Sequence, residues 1–262
     1  MDADLHGVRV VITRPEGQSE ALSQRLRALG AMPVPFPVIA IVPPEAGGAL
    51  DRALKNLSDY DWTIFTSVNG VVHFWQRLSA TSGVPADSLT GIPGFKGRIA
   101  AIGPATAAAL EQRGVRVDLL PAEYRAEAIL AAIGDVAGQY VLLPRADIAR
   151  ADLADGLRQR GAFVIEAAAY RTVPATPPAD AFRELERWDD IVTYNSASTV
   201  QHFVALTRGR AYGDPLIVCI GPVTAEVARQ QGLRVDAVAE DYTVDGLVEA
   251  LRRLWKDRTT AN

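Results

Sequence analysis

Short apolar segments alternate with stretches of helical periodicity along the whole chain. Four segments rich in β-branched residues predict strands, at residues 8–13, 62–66, 98–102 and 115–120. Apolar positions with helical spacing follow them, most clearly over residues 20–29 and 105–113. Because the predicted strands are apolar almost throughout, both of their faces should be covered by other elements. The pattern therefore predicts an α/β fold, in which helices pack on both sides of parallel sheets.

One stretch of the sequence occurs twice. Residues 99–120 and 217–238 align without a gap at an offset of 118, and 11 of the 22 positions are identical. The similarity extends to two further pairs of segments, residues 10–15 with 141–146 and 67–74 with 196–203. Two copies rather than many predict a protein with two lobes and a cleft, and not a solenoid.

Two extended segments interrupt the alternation of strands and helices. Residues 33–44 and 163–174 are each roughly twice as long as the mean strand, and the first contains five prolines. Such segments suit connectors between lobes better than central strands, and two connectors would make one lobe discontinuous. Two consecutive lobes that meet near residue 137 are equally compatible with the pattern itself.

Composition narrows the class of protein without identifying a function. Hydrophobic residues make up 48% of the 262 residues and charged residues 22%, as in a globular protein. The net charge of -4 argues against nucleic acid as a partner, which would require a basic face. The sequence has neither a membrane-spanning apolar run nor an export signal, so we expect a cytoplasmic protein. The single cysteine, Cys219, lies in an apolar run and is expected to be an inert core residue.

Small polar residues, glycine and two arginines follow the predicted strands of both copies. Ligands of open parallel sheets collect at the carboxyl ends of the strands, where helix N-termini offer free N–H groups to anions. The candidate binding residues at these turns are Arg14, Ser67, Asn69, Gly103, Thr106, Arg145, Ser196, Ser198, Gly221 and Thr224. Each hydroxyl taken singly could be only a helix cap, and each arginine could be only a surface ion pair. The same set in both copies favours a binding role.

Signatures of other chemistries are absent from the sequence. We find no G-x-G-x-x-G turn, no Walker loop, no nucleophile elbow and no zinc-like Cys/His spacing. His73 and His202 occupy equivalent positions in the two copies, each a turn into a predicted helix, and we interpret both as structural rather than ligating. The residues alone indicate neither metal nor redox nor nucleotide chemistry.

Taken together, these motifs resemble those of the uroporphyrinogen-III synthase family over nearly the whole chain. The resemblance is carried by VVITRPEGQ (10–18), FPVIAIVPP (36–44), DWTIFTSVNGV (61–71), AIGPATAAAL (101–110), AYRTVP (169–174) and CIGPVTAEVARQQGL (219–233). It implies two flavodoxin-like parallel-sheet lobes joined by a two-stranded antiparallel connector. One lobe would combine residues 1–36 with 174–262, and the other would comprise residues 37–173 with the connector strands.

The resemblance also implies a reaction. A cyclising lyase of this family converts linear hydroxymethylbilane to uroporphyrinogen III, with loss of water and inversion of the terminal pyrrole ring through a spiro intermediate. No cofactor is required. The implied substrate carries eight carboxylates, which helix N-termini and a few arginines could hold without a basic protein overall. We expect a monomer, and neighbouring enzymes of the tetrapyrrole pathway are candidate protein partners.

Residues are carried over from the family position by position. Tyr170 matches the connector tyrosine and is the candidate proton donor for hydroxyl loss, although a phenol is a weak acid and its role could be hydrogen bonding alone. Thr106 and Thr224 match the threonines of the two IGPxT motifs. Ser67, Ser196 and Ser198 match the serines of the F-T-S loops, but the second loop reads TYNSAS and departs from the family pattern.

Two other functions remain compatible with the fold, because a fold does not determine function. One is a two-lobed binding or sensor module that clamps an acidic metabolite without catalysis. The other is a protein that handles tetrapyrroles by docking to neighbouring enzymes. Formation of the type III isomer separates catalysis from both, since spontaneous closure of the linear substrate gives type I.

Overall fold

The structure is a computed structural model that describes residues 5–86, 90–185, 191–210 and 213–260. Its strands, in chain order, are β1 (Arg9–Ile12), β2 (Met32–Pro35), β3 (Ile39–Val42), β4 (Trp62–Phe65), β5 (Arg98–Ala101), β6 (Tyr140–Ala146), β7 (Phe163–Pro174), β8 (Ile191–Tyr194), β9 (Leu216–Cys219) and β10 (Ala237–Val238). Its helices are α1 (Glu16–Ala28), α2 (Ala49–Lys55), α3 (Val68–Ser82), α4 (Pro104–Glu111), α5 (Ala126–Ala132), α6 (Asp152–Gln159), α7 (Ala179–Leu185), α8 (Ala197–Thr207), α9 (Pro222–Gln230) and α10 (Val244–Thr260).

The strands form two sheets. The first has the order β10-β9-β8-β1-β2 and is parallel. The second has the order β3-β7-β6-β4-β5, and β7, β6, β4 and β5 pair in parallel. The predicted α/β fold is therefore confirmed.

The chain divides into two compact units. One contains the residues up to Ala40 together with those from Val173 onward, and the other is Ile41–Thr172. The first sheet thus draws strands from both ends of the sequence, so its unit is discontinuous. The boundaries fall within β3 and β7.

Alternation along β1 explains how the first sheet buries both faces. Val10 and Ile12 lie in one apolar cluster with Leu22 of α1 and Leu247 of α10. Val11 points to the other face, where its cluster includes side chains of α8 and α9. Successive strand side chains alternate between faces, so an apolar strand requires helices on both.

The second sheet follows the same rule. Ile64 of β4 packs in a cluster with Ile129 of α5 and Leu153 of α6. Its neighbour Phe65 packs on the opposite face, where its ring lies 5.3 Å from that of Phe74 in α3 at an interplanar angle of 90°. Edge-to-face aromatic contacts of this kind stabilise a core beyond the burial of area alone.

The strand predicted at residues 115–120 is wrong. Only Leu119 pairs there, as an isolated parallel bridge to Ala100. The Asp118 carboxylate accepts the Ile99 N–H at 2.9 Å, so a side chain takes the position that a ladder carbonyl would otherwise occupy. The second copy repeats this contact, because Asp236 accepts the Ile217 N–H at 2.8 Å, and its strand β10 is only two residues long.

The extended segment predicted at residues 33–44 is divided in two. Its first part contributes to β2, at the edge of the first sheet, and its second part forms β3, next to β7 in the second sheet. Between them, Phe36 and Val38 are fully buried in the core of the first unit. The segment predicted at residues 163–174, by contrast, is the single strand β7.

The buried hydroxyl of Thr193 offers a test of the packing between β1 and β8. It donates to the Val11 carbonyl at 2.8 Å, whereas the equally buried hydroxyl of Thr63 has no partner among the described residues. We expect Thr193→Val to lower the free energy of unfolding by about 1 kcal/mol, and Thr63→Val to be neutral or stabilising. Urea unfolding measures both, and equal losses in the two variants would contradict this assignment.

Candidate active site

Parallel pairing brings the predicted binding residues to one edge of each sheet. Strands that run in the same direction end at the same edge, and the helices that follow begin there. In the first sheet the residues just after β1, β8 and β9 are Arg14, Ser196 and Gly221. In the second sheet, Ser67 and Gly103 follow β4 and β5 at the edge where β6 ends with Arg145 and Ala146. These two edges are called the carboxyl edges below.

Tyr170 and Ser67 meet at the carboxyl edge of the second sheet. The Tyr170 hydroxyl lies 3.3 Å from Ser67 Oγ, and Ser67 Oγ accepts the Gly70 N–H at 3.0 Å as the N-cap of α3. Tyr170 is only 8% exposed, so its phenol is held by packing. Asn69 lies in the first turn of the same helix. The candidate acid and a candidate binding serine are therefore in contact, 103 residues apart in sequence.

His73 lies beside Tyr170, although we expected it to be a purely structural residue. Its ring centroid lies 5.6 Å from that of Tyr170, at an interplanar angle of 32°. Burial lowers the pKa of His73, and a hydrogen bond with Gln76 opposes this shift. The imidazole is therefore neutral at pH 7. Asn69 precedes His73 by four residues, a spacing that places both side chains on one face of α3.

The equivalent start of α8 is built from serines. Ser196 Oγ accepts the Thr199 N–H at 3.2 Å, and the Thr199 hydroxyl accepts the Ser196 N–H, which together form a capping box. Ser196 Oγ also lies 2.9 Å from Ser198 Oγ. Just before them, both polar atoms of the Asn195 side chain are buried without a hydrogen-bond partner in the described part of the chain.

Helices α4 and α9 begin with the two IGPxT motifs. Gly103 and Gly221 are their N-caps, and a proline occupies the first helical position of each. Thr106 and Thr224 are buried in the first turn, and neither hydroxyl has a hydrogen-bond partner among the residues described. Two copies thus place an unused hydroxyl at the same point of the same motif.

Arg14 is half-buried at the carboxyl edge of the first sheet. Among the described residues no carboxylate pairs with its guanidinium. Burial lowers the pKa of Arg14 from its ordinary value, but an arginine remains charged at neutral pH. A half-buried cation without a partner is a suitable site for an anion.

Arg145, its repeat equivalent, is used differently. It is 7% exposed, donates to the Arg150 carbonyl at 2.6 Å, and forms an ion pair with Glu166 of β7. Glu166 also accepts from Arg158 at 2.6 Å. In the first copy the position that corresponds to Glu166 is Pro35, which cannot pair with Arg14. The two equivalent arginines therefore differ in what they leave available to a ligand.

Two tyrosines at the carboxyl edges were not among the predicted residues. Tyr124 packs on Gly103 and Tyr242 packs on Gly221, so closely that a Cβ on these glycines would lie 3.3 and 3.2 Å from the rings. Tyr124 and Tyr242 are separated by the same offset of 118 as the IGPxT motifs. Extending the repeat by four residues would have identified them from the sequence.

Other chemistry is not apparent in the described residues. Burial raises the pKa of the Cys219 thiol to about 12, so it stays protonated, as expected for an inert core cysteine. The described part of the chain contains no group of three or more His, Cys, Asp or Glu side chains arranged to hold a metal ion. None of its helices is both long and apolar enough to cross a membrane.

Comparison with known proteins agrees with the resemblance seen in the sequence. The profile of the family described as uroporphyrinogen-III synthase HemD matches residues 20–249. A uroporphyrinogen-III synthase of Synechococcus elongatus is 33% identical over 98% of both chains.

Two solved structures share the fold. A mutant uroporphyrinogen III synthase from Thermus thermophilus matches with a TM-score of 0.63, at 19% identity, and covers 96% of this chain and 100% of its own. A uroporphyrinogen-III synthetase from Helicobacter pylori matches with a TM-score of 0.61, at 15% identity, and covers 94% of this chain and 97% of its own. At these identities the structures establish the fold alone.

The contrast between the two equivalent arginines can be tested directly. We expect Arg14→Gln to leave the free energy of unfolding within about 0.5 kcal/mol of the wild type. The same change should weaken binding of uroporphyrin III, a fluorescent octacarboxylate, by about tenfold or more, because a charged hydrogen bond is lost. Arg145→Gln should instead destabilise the fold by about 1–3 kcal/mol, since Glu166 loses a buried partner.

Fluorescence titration and urea unfolding measure the two effects. Arg116→Gln is the matched control for charge, because the Arg116 side chain is 89% exposed and pairs with Asp118, which contacts the amino end of β5. It should change neither quantity. Equal loss of affinity in Arg14→Gln and Arg116→Gln would contradict a binding role for Arg14.

Proposed function

The chain belongs to the uroporphyrinogen-III synthase family, and on that premise we propose that it cyclises linear hydroxymethylbilane to uroporphyrinogen III. The terminal pyrrole ring is inverted and one molecule of water is released. The match over nearly the whole chain supports the activity. The contact of Tyr170 with Ser67 at the start of α3 supports the assignment of the reacting group.

The carboxylates of the substrate are bound at the carboxyl edges of the two sheets. The starts of α3, α4, α8 and α9 present backbone N–H groups and the positive end of the helix dipole. Arg14 adds a cation without a partner among the described residues. These are local devices, so they suit an octacarboxylate even though the net charge of the chain is -4.

Tyr170 assists the departure of the substrate hydroxyl. When the carbon–oxygen bond breaks, the oxygen keeps the electron pair, and a proton must reach it for water to leave. The Tyr170 phenol can donate a hydrogen bond to that oxygen, while Ser67 Oγ, 3.3 Å away, holds the phenol in place. His73 is neutral at pH 7 and packs against the phenol ring, so it places no charge beside the departing group.

Positioning determines which isomer forms. Without inversion, the linear substrate closes to the type I product, so the enzyme must favour attack at the inverted ring position. Bound carboxylates fix the two ends of the chain near each other, which can contribute several kcal/mol to the barrier difference. Action as a monomer and residence in the cytoplasm stay predictions.

Product isomers test the proposed activity. Freshly prepared hydroxymethylbilane is incubated with the protein, the products are oxidised, and the isomers are separated by chromatography. Type III in excess of the reaction without enzyme supports a synthase. Type I alone would contradict the proposal and would favour a binding module.

We expect Tyr170→Phe to lower the rate of type III formation by roughly ten- to a thousandfold, the scale of lost general-acid or oriented hydrogen-bond assistance. A reduction near tenfold is expected if the substrate loses its hydroxyl easily without assistance. KM should change little, because the phenol acts in the transition state.

Tyr60→Phe is the matched control. Tyr60 is also 8% exposed, but it lies just before β4, at the amino end of the strand that Ser67 follows. Loss of the Tyr60 hydroxyl should leave the rate of type III formation unchanged. A wild-type rate and isomer ratio in Tyr170→Phe would reduce Tyr170 to a packing residue.

A further inference from the structure

Tyr124 and Tyr242 are large aromatic side chains left open to solvent at both carboxyl edges. Tyr124 is 64% exposed and Tyr242 is 65% exposed. One side of each ring is nevertheless fixed, because it packs on the glycine that starts α4 or α9. A single exposed aromatic residue is common on protein surfaces. What distinguishes this pair is that both copies place the ring on the same glycine of the IGPxT motif. A rigid, open aromatic face at the same point of both copies is suited to contact a ligand.

A cavity beside Tyr124 indicates what kind of ligand this is. Its volume is about 300 Å³, and its lining includes Thr66, Ile102, Tyr124, Arg145 and Arg150. Thr66 and Arg145 mark the ends of β4 and β6, so the cavity lies on the carboxyl edge of the second sheet. Because Tyr124 lines the cavity and is still mostly exposed, it lies at the opening.

The cavity combines an aromatic surface with three arginines and two carboxylates, those of Glu127 and Asp152. Arg145 forms an ion pair with Glu166, and Arg125 forms one with Glu123. Arg150 is exposed and has no ion-pair partner among the residues that the structure describes. Its carbonyl accepts from Arg145, which fixes the turn that carries it. A flat ring with a carboxylate on a short side chain fits this pair of features, since the ring can stack on Tyr124 while the carboxylate approaches Arg150.

We propose that Tyr124 and Tyr242 are stacking residues, each of which holds one pyrrole ring of the linear substrate against the carboxyl edge of its own sheet. This inference rests on the proposed function, because pyrroles with acetate and propionate side chains are the rings of hydroxymethylbilane. The close approach of each tyrosine to Gly103 or Gly221 orders the ring before the substrate arrives. Little conformational entropy is then lost on binding.

Alanine and leucine variants separate stacking from packing. Tyr124→Ala and Tyr242→Ala should each raise KM roughly three- to tenfold with kcat within about twofold, the scale expected for loss of one aromatic contact in uniform binding. Tyr124→Leu and Tyr242→Leu still cover the glycine but lack an aromatic face, so they should behave like the alanine variants. Tyr124→Phe should behave like the wild type.

Tyr140→Ala is the control for removal of an exposed aromatic. Tyr140 is 46% exposed and begins β6, at the amino edge of the same sheet, where it stacks on Phe163 with ring centroids 5.0 Å apart. It should leave KM unchanged. Titration with uroporphyrin III, followed by its fluorescence, gives a second measure of binding that does not depend on turnover.

The outcomes distinguish this inference from the proposed function. If the wild type forms type III product and the alanine variants keep its KM, or leucine restores it, the stacking role is overturned and the synthase remains. If the wild type forms no type III product, the proposed function fails and the inference falls with it. The inference is supported if KM rises in the alanine and leucine variants, stays at the wild-type value in Tyr124→Phe and Tyr140→Ala, and thermal stability is unchanged.

Discussion

Parallel pairing of β1 with β8 is the constraint on which the rest of the first unit depends. Val10, Val11 and Ile12 align with Ile191, Val192 and Thr193, and the hydroxyls of Thr13 and Thr193 each donate across the two strands to a carbonyl. This register joins segments about 180 residues apart in sequence. It places Arg14 and the start of α8 at the same carboxyl edge, although they are far apart in the sequence.

The two copies of the repeat have kept their geometry and changed their electrostatics. Each retains a serine N-cap after one strand and an IGPxT turn with a tyrosine on its glycine. The arginines differ, because Glu166 pairs with Arg145, whereas its repeat equivalent is Pro35 and no carboxylate of the described residues pairs with Arg14. We infer that duplication supplied two similar edges for a substrate with many carboxylates. The histidine is kept in both copies, as His73 and His202, whereas Tyr170 has Ile39 as its repeat equivalent and belongs to the second unit alone.

The spacing of apolar and polar residues correctly predicted the elements that depend mainly on neighbouring residues in the sequence. The strand at Phe163–Pro174 and the helix after Ser67 follow from apolar runs and a capping residue. The strand predicted at residues 115–120 does not form, because the Asp118 carboxylate accepts the Ile99 N–H in place of a backbone carbonyl. The spacing of apolar residues does not reveal such a contact. The contacts of Tyr170 with Ser67 and of Arg145 with Glu166 depend on strand register, so they required the structure. Tyr124 could have been predicted from the sequence, because the repeat aligns it with Tyr242.

The central claim is that the carboxyl edges of both sheets bind the carboxylate-rich substrate, and backbone amide NMR tests it most directly. Uroporphyrin III is titrated into ¹⁵N-labelled protein and the shifts of assigned amides are followed. We predict saturable shifts at the starts of α3, α4, α8 and α9, including the amides of Gly70, Thr199 and Thr224. Amides at the amino edge, such as that of Tyr140, should not move. Shifts confined to the amino edges, or none at saturating ligand, would contradict it.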